Sequence, residues 1–187
     1  MHGSASHWGQ TKISLESIIR RPRYALVNHL NVILLDTSAS ILTEAALQKS
    51  KAIVNALNRW VYLRRETLSL VSFGNDQVNM LIPPSRPRKS LITELGHVPA
   101  GGGTPFRAAV SYINHFLVHR QRRRPHESQS IIILTDGRGR GDVSDIHLPA
   151  KITLIDMESS KVRLRRCYHL AQQWDAEYLH VDMIPTE

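Results

Sequence analysis

Apolar residues change their spacing several times along the chain, and each change marks an element. Residues 32–35 (Val-Ile-Leu-Leu) are a short continuous apolar run, the pattern of a strand buried on both faces. From 43 to about 64 the spacing turns helical, with Ala46, Ile53, Val54, Leu57, Trp60 and Val61 on one face and Thr43 as N-cap. Residues 67–73 (TLSLVSF) alternate as a strand, Gly74-Asn75-Asp76 reads as a turn, and residues 78–82 form a second short strand. This pair predicts a hairpin, ended by Pro83 and Pro84. Residues 90–95 predict one or two helical turns. Past Gly101-Gly102-Gly103-Thr104-Pro105, a helix opens with Pro105 at its first position and buries Phe106, Ala109, Val110, Ile113 and Phe116. A basic, polar loop over 119–129 leads to another buried strand, residues 130–134 (SIIIL), which ends in Thr135-Asp136-Gly137. An RGRGD stretch without periodicity follows. Residues 152–155 predict a strand, Leu164, Cys167, Ala171 and Trp174 a final helix, and residues 178–181 a last strand.

Strands alternating with helices predict an α/β fold with a doubly wound, mostly parallel sheet covered on both faces. Ahead of it, residues 12–19 read as a strand or short helix, and Pro22 breaks any helix. The expected division is an N-terminal arm (1–29), one domain (30–182) and a short tail (183–187). The 187 residues suffice for one sizeable domain. No apolar run approaches the roughly 20 residues of a membrane helix, and the first ten residues lack a signal-peptide core. Cys167 is the single cysteine, which rules out an intrachain disulfide. A reducing, cytoplasmic setting is therefore expected, with Cys167 as a small core residue.

Charge adds a partner class. The chain carries 24 Lys+Arg against 16 Asp+Glu, formally +8, concentrated in IRRPR (19–23) and HRQRRR (119–124). Such an excess favours an acidic partner. Nucleic acid ranks last among partners, because only 6% of residues are aromatic and none interleaves with the arginine run at 122–124. His115 and His119 lie four apart on one helix but lack a third ligand, so they read as solvent-facing.

Open parallel sheets place their sites outside the carboxyl ends of strands. Three loops reach such positions here. One holds Asp36, Ser38 and Ser40, the second Thr104, the third Asp136. Two carboxylates and three hydroxyls, with no sulfur or imidazole, suit a hard divalent cation such as Mg²⁺. The triple glycine could cradle phosphate at a helix N-terminus. Without a lysine it reads as a structural turn. No Gly-x-x-x-x-Gly-Lys-Ser/Thr loop occurs, so ATP binding through one is not expected. Arg138 and Arg140 flank the third loop and would steer an acidic partner or face solvent.

Asp36-Thr-Ser38-Ala-Ser40, then Thr104, then Asp136-Gly137 resemble the metal-ion-dependent adhesion site of von Willebrand factor A, or integrin I-like, domains. The resemblance implies a Rossmann-like sheet with one antiparallel edge strand, which fits the hairpin. A narrower similarity, over roughly residues 30 to 182, is to the C-terminal domain of the D subunit of magnesium chelatase and cobaltochelatase. It rests on Pro99-Ala-Gly-Gly-Gly-Thr-Pro105, Leu134-Thr-Asp-Gly-Arg138, Leu154-Ile-Asp-Met-Glu-Ser159, Leu81-Ile-Pro-Pro84 and Glu177-Tyr-Leu179. It implies that Ser38 and Ser40 bind the cation directly, Thr104 directly or through water, and Asp36 and Asp136 partly through water. An open position would then accept a partner's carboxylate. It also implies a non-catalytic subunit between an AAA+ ATPase and the large tetrapyrrole-binding subunit of an enzyme that inserts Mg²⁺ or Co²⁺. An adaptor bringing an AAA+ ATPase to some other client, with no tetrapyrrole, is the alternative.

Overall fold

The computed structural model describes residues 28–38, 44–87, 102–139, 141–159 and 164–184. The strands are β1 (His29–Asp36), β2 (Thr67–Gly74), β3 (Gln77–Ser85), β4 (Ser128–Thr135), β5 (Lys151–Asp156) and β6 (Glu177–His180). Among the described residues the helices are α1 (Glu44–Leu63), α2 (Phe106–Arg123) and α3 (Arg166–Gln173). One sheet runs in the order β3-β2-β1-β4-β5-β6. All neighbours are parallel except β3, which is antiparallel to β2 at the edge. This is the expected doubly wound architecture.

Why β1 and β4 read as continuous apolar runs is plain from the two cores. Ile33, Leu35, Ile132 and Leu134 join Ile53, Val54, Leu57 and Val61 of α1 on one face. Val32, Leu34, Ile131 and Ile133 join Ala109, Val110, Ile113 and Leu117 of α2 on the other. A strand covered on both sides has no polar face to alternate with. From β1 the chain moves out to β2 and β3, then returns through α2 to β4 on the far side of β1. The winding therefore reverses between β1 and β4, and the carboxyl ends of these two strands flank the crevice.

Several boundaries differ from expectation for physical reasons. β3 continues through Pro83 and Pro84 to Ser85 instead of stopping at 82. It is an edge strand, and its register against β2 shifts between Leu68 and Leu70, so two missing donors are tolerated there. α2 runs on to Arg123, into the expected basic loop. Its buried stripe ends on Leu117, with Phe116 only partly buried. Leu164 precedes α3 and is exposed, and β6 ends at His180, followed by a 3-10 turn, Val181–Met183. The stretch after β4 lacks periodicity yet contributes Val143, Ile146 and Leu148 to the core. Thr43 and the segments 12–19 and 90–95 lie outside the described residues, as does most of the arm. Cys167 is fully buried, as a small core residue should be. Among the described residues, no helix is long and apolar enough to cross a membrane.

Candidate functional site

Three neighbouring parallel strands end alike. Asp36, Asp136 and Asp156 stand at or just past the carboxyl ends of β1, β4 and β5. Each accepts, through Oδ1, the backbone N–H two residues on: Ser38 N at 2.9 Å, Arg138 N at 2.9 Å and Glu158 N at 2.9 Å. Such turns let the chain leave the sheet sharply while holding each carboxylate in place. Asp36 is 1% exposed and Asp136 5%.

A hydroxyl ties the first two endings together. Thr135 Oγ1 donates to Asp36 Oδ2 at 2.6 Å and accepts Gly137 N–H at 3.1 Å. Burial is the largest influence on Asp36, and the nearby Asp136 carboxylate acts in the same direction. Together they raise the Asp36 pKa from 3.8 to about 6, against the hydrogen bonds from Thr135 and Ser38. Among the described residues no cationic side chain pairs with Asp36. Arg138 instead lies beside Asp136, with Nε 3.6 Å from Oδ2, and reaches toward Glu158 with Nη2 3.9 Å from Oε1.

Close backbone approaches position the other loops. A Cβ on Gly74 would sit 2.5 Å from Thr37 Oγ1, and one on Gly103 2.5 Å from Asp76 Oδ1. Gly102, at φ +67°, lies against Asn75, and Asp76 N donates to Gly103 O at 3.3 Å. The glycines thus seat the Thr104 loop on the hairpin turn, which supports the structural-turn reading of this stretch. On its other side, a Cβ on Gly139 would collide with Phe106 and lie 3.2 Å from Thr104 Cγ2. The Thr104 loop therefore meets the loop that follows Asp136.

Of the five expected ligands, Asp36, Ser38 and Asp136 come together at the crevice, and Thr104 is held on the adjoining loop. Ser40 and Arg140 lie outside the described residues. Among the described residues no group of three or more His, Cys, Asp or Glu could hold a metal, so a site here depends on hydroxyl oxygens. His115 and His119 are both exposed on α2. Two further contributors, Thr135 and Glu158, have little mark in the sequence. Thr135 carried a signal, being polar directly after an apolar strand. Glu158 is 3% exposed, and its carboxylate accepts Leu164 N–H at 3.0 Å and Arg165 N–H at 3.4 Å just before α3. Nothing in its local pattern marks it as buried.

Thr135→Val removes the donor to Asp36 with little change in shape. A hydrogen bond to a charged group contributes roughly 1.5–3 kcal/mol, so urea unfolding at pH 7.5 should show a loss of that order. Thr135→Ser is expected to recover most of it.

A mostly parallel, helix-covered sheet with one reversed edge strand, and oxygen-bearing loops at its winding reversal, define a von Willebrand A-type α/β domain. The von Willebrand factor type A domain family matches residues 31–138, more than half of the chain, and the chain belongs to that family. It is 32% identical over 109 residues to the magnesium-chelatase 67 kDa subunit of Chlorobaculum parvum, covering 58% of this chain and 17% of that protein. It is likewise 32% identical over 95 residues to the 60 kDa subunit from Cereibacter sphaeroides, covering 51% of this chain and 17% of that one. The chain therefore spans less than a fifth of the length of either subunit. Among solved structures, the SpRpn10 VWA domain superposes with a TM-score of 0.59 at 16% identity, covering 86% of this chain and 90% of that one. An aerotolerance-related membrane protein from Bacteroides fragilis gives 0.63 at 15% identity, covering 81% and 90%. These two show the fold alone.

Proposed function

We propose that this domain binds a partner protein through a divalent cation, Mg²⁺ in the first instance, held at the carboxyl ends of β1 and β4. One observation carries the proposal: the buried Asp36 carboxylate lies beside a second one, Asp136, and among the described residues no cationic side chain pairs with it. A charge so placed is costly unless something positive joins it. The donor chemistry fits, since carboxylate and hydroxyl oxygens suit Mg²⁺. Asp36, Ser38, Ser40, Thr104 and Asp136 would hold the ion. When bound, the cation supplies an electrophilic position for a carboxylate from outside. The chain's own residues fix the geometry: Thr135 orients Asp36, and the Asp36 and Asp136 turns aim the loops.

The similarity to two magnesium-chelatase subunits supports a finer reading. In it the chain serves, without catalysing, in an ATP-dependent chelatase that inserts Mg²⁺ or Co²⁺ into a tetrapyrrole. It would bridge an AAA+ ATPase and the large tetrapyrrole-binding subunit in the cytoplasm. Affinity purification of the tagged chain from its native cell, with and without EDTA, tests this. Recovery of both partners in Mg²⁺ and their loss in EDTA is expected. Recovery of an ATPase with an unrelated client would replace the chelatase role by that of a general adaptor. Partners that persist in EDTA would remove the cation from the mechanism.

A further inference from the structure

A cavity of about 510 Å³ opens between α3 and the loop that follows β4. It shares its wall with the candidate cation site. Gly137, directly after Asp136, lines it, and so does Gly139, which packs on Phe106 and Thr104. A third glycine, Gly141, completes this wall.

The glycines are required there. Gly137 has φ +72°, and a Cβ on it would lie 3.0 Å from both Arg166 Cβ and Cys167 Sγ. Gly141 has φ +104°, and its Cβ would lie 2.8 Å from Arg107 Cβ. Among the described residues, this side of the cavity presents glycine backbone, which a second peptide can approach closely. The opposite side is α3. Leu170 supplies the apolar surface, with the buried Phe106 ring at the edge of the cavity, and Arg166, His169 and Gln173 supply polar ends. None of the described lining residues is acidic. Arg166 is exposed and forms no ion pair among the described residues, so no described carboxylate competes with a partner's for its guanidinium.

We propose that this cavity is a specificity pocket for the partner's docking segment: a short acidic peptide whose first carboxylate goes to the cation, whose apolar side chain rests on Leu170, and whose second carboxylate pairs with Arg166. The proposal rests on the cation-dependent docking proposed above and adds the chemistry of the docked segment. Volume and polarity agree. Pockets of 300–1,000 Å³ with an apolar floor and a few placed polar groups are typical of specific sites. The cavity is too large for one carboxylate and suits a few residues of extended chain. The positive lining selects for acidic sequence, while the Leu170 surface selects against a uniformly charged one.

The test uses the full 187-residue chain on an array of pentapeptides, each with one fixed Glu and four varied positions, in Mg²⁺ and in EDTA. Mg²⁺-dependent binding is expected, enriched for a second Asp or Glu and for one apolar residue. Arg166→Glu is expected to reverse the preference for the second acid, and Leu170→Trp, which fills the cavity, to lower binding at least tenfold. Both variants should keep the Mg²⁺-induced rise in melting temperature. Unchanged preferences in both variants would overturn the pocket while leaving the cation site standing. So would a silent array from protein that still responds to Mg²⁺. Binding that ignores EDTA but fails in Leu170→Trp would keep the pocket and sink the cation. Competition by inorganic phosphate at the same concentration as peptide would mark a small-anion site and overturn the peptide assignment.

Discussion

The wild-type domain is expected to gain melting temperature in Mg²⁺, and Asp36→Ala is expected to abolish that gain, and with it Mg²⁺-dependent partner binding, while the chain stays folded. The two effects separate because of where Asp36 sits. Its charge is buried at the mouth of the sheet, and a pKa raised from 3.8 to about 6 corresponds to roughly 3 kcal/mol of penalty on the ionised form. Removing the side chain removes that penalty along with its hydrogen bonds to Ser38 and Thr135. Without the cation the net change in stability is therefore expected to stay within about 3 kcal/mol, since the two lost hydrogen bonds to the charged carboxylate contribute roughly 1.5–3 kcal/mol each and the relieved penalty offsets about 3. Thr135 keeps a partner in Gly137 N–H. Differential scanning fluorimetry with and without Mg²⁺ measures both quantities at once. A full Mg²⁺ response in the variant would rule Asp36 out of the site.

The same group sets the pH dependence. Because its folded pKa is raised, the Asp36 contribution to stability without metal is complete below about 3.8 and is lost as pH rises through about 6. A cation held as proposed would require the ionised form, so its effect would run the other way. The Mg²⁺-induced shift in melting temperature should be largest near pH 7.5 and shrink as pH falls through about 6. A shift that is flat from pH 5 to 8 would contradict this.

Phe73→Ala is expected to be the most damaging single core change, at about 3–5 kcal/mol in chemical unfolding, a large share of an ordinary domain's stability. Phe73 is fully buried, and its ring centroid lies 5.8 Å from that of Phe106. Phe106 in turn opens α2 directly after the Thr104 loop. The Phe73 carbonyl also accepts Thr37 N–H at 2.8 Å and the Thr37 hydroxyl at 3.2 Å, in the first site loop. The cavity would thus lie beneath two of the three loops. Leu63→Ala, at a residue 71% exposed, is the control and should change stability by less than about 0.5 kcal/mol.

How much of this was legible in the sequence depended on range. The runs at 32–35 and 130–134 announce buried strands because each is covered on both faces by a helix. The hairpin at Gly74-Asn75-Asp76 is written in turn chemistry. Asp36, Ser38 and Asp136 could be paired as one site because parallel strands deliver their carboxyl ends to one edge of a sheet. What stayed hidden was set by distant contacts. Val143, Ile146 and Leu148 plug the core from a stretch with no period. Glu158 is buried only because α3 begins where its carboxylate can receive two amides. Thr135 matters because β4 lies beside β1 in register, which no local pattern states.

The prolines in β3 have a consequence for how copies of this domain coexist. Pro83 and Pro84 withhold two N–H donors from the border strand, and the register shift beside them distorts its pleat. At the other border β6 is only four residues long. Neither margin offers a long, regular template for a strand from another molecule. Many copies can therefore be crowded together without the sheets fusing end to end into fibres.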